Sequence, residues 1–456
     1  MNESTQEISN GEIDKPTSIS PRRFSTNVAL MLGTRLLMLA SGVGASIVIA
    51  RWLGAEGVGT LAVLNVTVAL AVQLACAGLP AANTYFISKD RRRLAPVWTN
   101  SLLFGLVAGT VLTVMIILLA RLRPSLFGQV PIGLVSIAVI SIPFQLITLL
   151  GLNVLLALDQ IDRLNVLDSA GQILLFMNAV VACWIIGAGL FVLVSLNTGA
   201  AILLSLVVVL IIAAIISRTA GGRHLQPEWG LFKKMLRYGL KFHVAALAAI
   251  IILRADLLLV NHFRGSGEAG VYAVASQMGS LMLLFPAVIG TLLFPRVASE
   301  ADQQGELTMR ATRYTAFIML IICSLAIPLS FALPLVYGPA FHDATILLLI
   351  LLPGVYLFGI EAVMVQHFSG TGLPIAIPLF WIVALSFNTA LNLVFIPIYG
   401  ARAAAITSTL SYALIFVLVA SYFRSKTGNN FSATLLLRHS EFRDLLALTR
   451  LNFFSN

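Results

Sequence analysis

Between Val28 and Tyr422 the sequence passes through successive stretches of about twenty apolar residues, each closed by a short polar or charged break. A stretch of that length matches the hydrocarbon thickness of a bilayer when coiled as a helix. A helix also satisfies its own backbone polar groups where no water can. The stretches are Val28–Ala50, Leu61–Ile87, Ser101–Ala120, Pro131–Ala157, Ala170–Ile186, Leu190–Ile216, His243–Phe263, Tyr272–Leu293, Ala316–Val336, Ile346–Gln366, Ile375–Ile396 and Ala403–Tyr422. They predict an all-α polytopic membrane protein with about twelve transmembrane helices. Composition agrees: 59% of the 456 residues are hydrophobic and 11% are charged, with a mean hydropathy of +0.95. Soluble domains carry about 25% charged residues, so an ordinary soluble enzyme, a disordered chain and a nucleic-acid-binding module are excluded.

The net charge of +10 then reports topology rather than an anionic partner. With the N-terminus inside, 22 of the 29 Lys and Arg fall on the inner side, and basic residues accumulate on the untranslocated side. Both termini are therefore expected in the cytoplasm. The organisation that follows is a polar tail at 1–26 without a cleavable signal peptide, a first lobe at 27–217, a connector at 218–241, a second lobe at 242–424 and a basic tail at 425–456. From Trp229 the connector reads as a basic amphipathic helix: Trp229, Phe232, Leu236 and Leu240 share one face, and Lys233, Lys234, Arg237 and Lys241 the other. Such a helix is expected to lie among lipid headgroups.

A shift of 211 positions overlays Gly54–Val63 on Gly265–Val274, matching Gly59 with Gly270 and Ala62-Val63 with Ala273-Val274. The copies follow the first and the seventh spans. Six spans lie between them, so the two halves share one orientation, as in transporters built from parallel repeats.

The same residues carry a family resemblance. Ala50-Arg51-Trp52-Leu53-Gly54-Ala55-Glu56-Gly57-Val58-Gly59 resembles the hallmark after the first helix of polysaccharide-export flippases, within the multidrug/oligosaccharidyl-lipid/polysaccharide exporter superfamily. Leu236–Leu240, Arg254-Ala255-Asp256, Gly270–Ala275 and Val336–Phe341 are similar to that family in order and spacing. The resemblance implies two six-helix lobes around a central cavity that opens alternately to each side. It also implies passage of a lipid-linked oligosaccharide across the bacterial inner membrane, with membrane lipids and a polysaccharide polymerase machinery as partners.

Other motifs carry no chemistry here. Gly265-Ser266-Gly267-Glu268-Ala269-Gly270 satisfies GxGxxG, but it joins two spans instead of following a strand in a βαβ unit. No phosphate-binding GxxxxGK[ST] occurs. The six histidines are scattered, and Cys76, Cys183 and Cys323 sit far apart in apolar runs, so no metal or other cofactor is expected.

Ionisable groups inside the membrane cost at least about 2.5 kcal/mol each and point to function. Arg254 lies about 20 Å beyond Lys241 and about 15 Å before Arg264 along a helix, too deep to reach water by extension. It either faces an aqueous cavity, the favoured reading, or is held in a buried ion pair. Asp256 is about 200° further round the same helix, so its partner must come from another helix unless it binds a proton or sodium. Arg35 is a second candidate cavity cation, with snorkelling to the inner headgroups as the alternative. Glu361 is a second ion-coupling candidate, expected near the inner edge and solvated there. Gln73, Gln145, Gln172, Gln277, Asn153, Asn178, Asn388 and Asn392 add uncharged polarity and are read singly as interhelical hydrogen-bonding groups rather than sugar contacts.

Two transport readings result. A flippase for an undecaprenyl-pyrophosphate-linked oligosaccharide is served by cavity cations, which answer its diphosphate. A cation-coupled antiporter of small molecules or drugs would favour carboxylates in the cavity, and these are few. A glycosyltransferase or polymerase would want a large outer loop with catalytic residues, so an enzyme is not expected.

Overall fold

The computed structural model describes residues 21–219, 226–298, 302, 305–372 and 374–428. Of the two expected tails, only 21–26 and 425–428 fall within these residues. Every regular element among the described residues is a helix. In chain order the helices are α1 (Pro21–Ala75), α2 (Leu79–Lys89), α3 (Leu94–Leu122), α4 (Ile132–Val139), α5 (Ile142–Ala157), α6 (Ile161–Val180) and α7 (Leu190–Thr219). The second half continues with α8 (Trp229–Arg264), α9 (Ser266–Met282), α10 (Leu284–Ala298), α11 (Glu306–Ser330), α12 (Leu333–Tyr337), α13 (His342–Gly370), α14 (Ala376–Tyr399) and α15 (Ala401–Thr427). Eleven helices among the described residues are long and apolar enough to cross a membrane.

The first two expected spans are joined in one element, α1, but Gly54 inside it has φ 64° and ψ −169°, outside helical geometry. Residues of both legs, Gly42 to Ile49 and Val58 to Val66, line one cavity, so the chain folds back at Gly54. Gly265, its counterpart 211 residues on, separates α8 from α9 with nearly the same backbone, φ 90° and ψ 172°. Both conformations lie at positive φ, where glycine carries no Cβ penalty. The fifth and sixth expected spans stay separate: a π-helical turn, Val181–Ile185, ends the first and a bend at Gly187 precedes α7.

The two copies of the repeat meet face to face. A Cβ on Gly59 would overlap the Ser266 carbonyl oxygen, and one on Gly270 would overlap the Ala55 carbonyl oxygen. Ser266 and Ala55 are themselves 211 residues apart, so the contact is reciprocal, the signature of a two-fold relation. Three side chains also tie the halves at this hairpin end. The Arg51 guanidinium donates to the Val336 carbonyl at 2.9 Å and also to that of Leu335. The Asn261 amide donates to the Phe127 carbonyl at 2.9 Å, and His262 Nδ1 lies 2.7 Å from the Ser125 carbonyl.

The connector is not a separate element: Trp229 onward runs straight into the seventh span as one 36-residue helix, about 54 Å long. The side that packs on the first half is not the expected apolar face: Leu231 and Met235 are buried, Phe232 meets Phe104 at 5.6 Å and Tyr238 stacks on Tyr85 at 4.4 Å, whereas Trp229 and Leu240 stay exposed. Asn100 on α3 fixes the start of this helix by accepting from the Glu228 backbone N–H and donating to its carbonyl, both at 3.0 Å. Lys233, Lys234 and Arg237 remain exposed on the opposite face.

Candidate functional site

The legs of α1, with α6 and α7, face α8 and α9 across a cavity of about 440 Å³. Arg254 lines it with an exposed side chain and forms no ion pair with any described residue. Ser46, on the first leg of α1, donates to the side-chain oxygen of Gln277 on α9 at 2.9 Å and lies 3.4 Å from the Tyr337 hydroxyl. These bonds bridge the halves beside the cavity.

Asp256 belongs to the same wall but turns the other way. It is 1% exposed. One carboxylate oxygen accepts from the Tyr272 hydroxyl and from Ser408 at 2.9 Å, and the other from the Leu257 backbone N–H at 2.7 Å. Its partners thus come from α9 and α15 and are uncharged donors, not a cation. Two residues of helix suffice to aim Arg254 into open space and Asp256 into packed protein.

Glu361 is a correction. Expected near the inner edge and solvated, it is 1% exposed on α13, and its Oε1 has no hydrogen-bond partner. The reason is tertiary cover: Gly359 packs against Met319 and Pro286, and Val363 sits in a cluster with Leu293 and Val297. Helices α10 and α11 therefore shield a position that depth alone would leave at an interface. Glu361 lines neither cavity described here. The side chain of Arg35, the second candidate cavity cation, lies outside the described residues.

A second cavity, about 500 Å³, lies wholly within the first half, walled by the second leg of α1 and by α4 to α7. It shares Asn65, Gln172 and Asn197 with the first cavity, so the two are contiguous. This one was not foreseen. The uncharged polar residues in fact divide by role. Asn388 donates to Ser411 at 3.1 Å, Asn392 to Asn388 at 2.9 Å, and Asn178 to Asn197 at 3.1 Å, all as interhelical or intrahelical links. Gln73 and Gln172 instead face the second cavity with no side-chain hydrogen bond to a described residue, and Gln145 bonds only Ser141 of its own helix, at 3.0 Å. A glutamine's sequence position gives its depth but not which of these two fates it meets.

Comparison with known proteins agrees with this architecture. A family model described as polysaccharide biosynthesis protein matches residues 48–346. The probable low-salt glycan biosynthesis flippase Agl15 of Haloferax volcanii is 22% identical over 206 residues, which is 44% of this chain and 44% of that protein. The membrane protein MJ1068 of Methanocaldococcus jannaschii is 22% identical over 195 residues, 41% of this chain and 38% of that one. The chain thus spans less than half the length of these curated relatives. Among solved structures, an inward-facing multidrug resistance MATE family transporter of the MOP superfamily aligns with a TM-score of 0.71 at 14% identity, covering 86% of this chain and 94% of that one. Lipid II flippase MurJ, in an inward closed conformation, aligns with a TM-score of 0.71 at 13% identity and 94% coverage of both. At such identities the two structures speak to the fold, whereas the family model covers well over half of the sequence: the chain belongs to the polysaccharide biosynthesis protein family.

Proposed function

We propose that this protein is an alternating-access flippase that carries an undecaprenyl-pyrophosphate-linked oligosaccharide across the bacterial inner membrane for surface polysaccharide synthesis, with both termini in the cytoplasm. The observation that carries the reading is Arg254: an exposed guanidinium, without an ion pair among the described residues, on a cavity between two halves of a membrane protein. An unpaired cation at that depth costs about 2.5–3.5 kcal/mol, and a diphosphate offers guanidinium a bidentate, charge-assisted partner. The reciprocal contact at Gly59 and Gly270 supports two lobes that rock as units, because backbones touching through glycines can part without unlocking side chains. Arg254→Ala should abolish glycan export while leaving membrane insertion intact, and Arg254→Lys should retain part of it. Normal export by Arg254→Ala would remove the basis of this reading.

A second reading, a cation-coupled antiporter of small molecules or drugs, draws on Glu361. A buried carboxylate without a partner is far cheaper when it holds a proton or cation, which suits ion coupling better than Asp256, whose lone pairs are already met by three donors. Glu361→Gln should keep substrate binding and remove the response of reconstituted transport to an imposed proton or sodium gradient. An unchanged gradient response would leave Glu361 outside any coupling step.

A further inference from the structure

We infer that the cavity enclosed by the first half is a saccharide subsite that accepts neutral or amino sugars and rejects acidic ones. The inference rests on the reading of the chain as a carrier of lipid-linked glycan and adds which glycans fit. At about 500 Å³ the space falls within the roughly 300–1,000 Å³ of ordinary ligand pockets. Its wall is apolar except for carboxamides, hydroxyls and one carboxylate. Asn65, Gln73, Gln172 and Asp168 all line it, and none makes a side-chain hydrogen bond to a described residue.

Unmet donors and acceptors at membrane depth are costly unless something polar arrives to meet them. A carboxamide presents two donors and a two-lone-pair acceptor, which matches a ring carrying several hydroxyls, each both donor and acceptor. The charge distribution fixes which way a substrate would lie. Among the described residues no Lys, Arg or His lines this cavity and Asp168 is the sole ionisable one, whereas Arg254 lines the contiguous cavity. A pyrophosphate therefore belongs at Arg254 and the sugars beyond Asn65 and Gln172, inside the first half. There a uronate carboxylate would meet the carboxylate of Asp168, a like charge, while a hydroxyl or an ammonium group would donate to it.

Equilibrium binding by the full chain in lipid nanodiscs tests this with three probes: a prenyl pyrophosphate bearing no sugar, the same lipid bearing a neutral disaccharide, and the same lipid bearing a uronate disaccharide. The neutral sugar should improve affinity about tenfold, the worth of one or two net hydrogen bonds, and the uronate should add nothing. Gln73→Leu should erase the neutral-sugar gain without weakening the bare lipid. Asp168→Asn should raise uronate binding toward that of the neutral probe, a gain that misfolding cannot produce. Equal affinity for all three probes, or an Asp168→Asn protein that ranks them as the parent does, overturns the subsite. Should Arg254→Ala leave every affinity unchanged while the ranking among sugars survives, the pyrophosphate reading fails and the subsite stands. Absence of any binding sinks both.

Discussion

One network in the second half and one cavity in the first treat polar residues in opposite ways. In the network they are consumed by one another. Asn392 donates to Asn388, Asn388 to Ser411, the Thr407 hydroxyl bonds Asn392, and Asp256 gathers Tyr272, Ser408 and the Leu257 N–H. In the first half Asn65, Gln73, Gln172 and Asp168 are left facing space. Identical residue types thus serve in the network to hold helices together and at the cavity to face open space. The bonded network stiffens the helices that it joins, even though Glu361, elsewhere in the second half, keeps an unpaired Oε1.

The largest effect expected from breaking this contrast is at Asp256. Asp256→Ala removes an acceptor shared by three donors and strands the Tyr272 and Ser408 hydroxyls in packed protein. Removing one side of such a buried arrangement costs about 3 kcal/mol or more. Thermal unfolding in detergent and monodisperse yield should both fall sharply. A variant that purifies with parent-like yield and melting temperature would show that the second half is not held together by this network, and Asp256 would revert to a candidate for ion coupling.

A smaller loss is expected at Thr407. Its hydroxyl bonds both Asn392 and the Ala404 carbonyl, and Thr407→Val keeps the shape while deleting those bonds. Interhelical hydrogen bonds in membranes are worth about 0.6 kcal/mol on average and at most about 1.7, so a destabilisation near 1 kcal/mol is expected. Steric trapping or thermal unfolding of the purified chain measures it. No loss at all would mean that the network is decoration on apolar packing, and the contrast between halves would lose its energetic content.

Much of this was open to sequence reasoning, because backbone satisfaction in lipid leaves helices as the answer to apolar stretches. The hairpin turns were legible through Gly54 and Gly265, whose positive φ only glycine adopts without strain, and through the 211-residue shift that pairs them. Depth was legible too: counting residues from Lys241 and Arg264 locates Arg254 and Asp256 at mid-span, and two residues of helix set them apart. Sidedness was not. Glu361 looked interfacial because counting along α13 ignores the cover supplied by α10 and α11. From Trp229 the packed side carries Leu231 and Met235, off the stripe marked by Trp229 and Leu240, because contacts with α2 and α3 leave no trace in local periodicity. Which glutamines pair and which line a cavity depends on neighbours more than a hundred residues away, as with Gln277 and Ser46, and single-chain periodicity holds no record of them.

The sharpest comparison is the smallest in magnitude, because it applies the Thr407 substitution to the other half and expects the opposite sign. Thr148 lines the first-half cavity, yet its Oγ1 is buried beyond water's reach and has no hydrogen-bond partner. A hydroxyl in that condition destabilises the empty protein, since it has lost its water without gaining a replacement. Thr148→Val keeps the β-branched shape, which fits a helix no worse than threonine, and removes the orphaned group. The substrate-free protein should therefore become more stable by up to about 1 kcal/mol, read as a rise in melting temperature measured beside Thr407→Val under the same conditions. Because a guest cannot touch a hydroxyl that water cannot reach, the gain should be the same with and without a neutral saccharide-bearing prenyl pyrophosphate, whereas Gln73→Leu should respond to that probe. A Thr148→Val protein less stable than its parent without substrate would mean that the hydroxyl is already satisfied inside the fold, and the first half would then resemble the second.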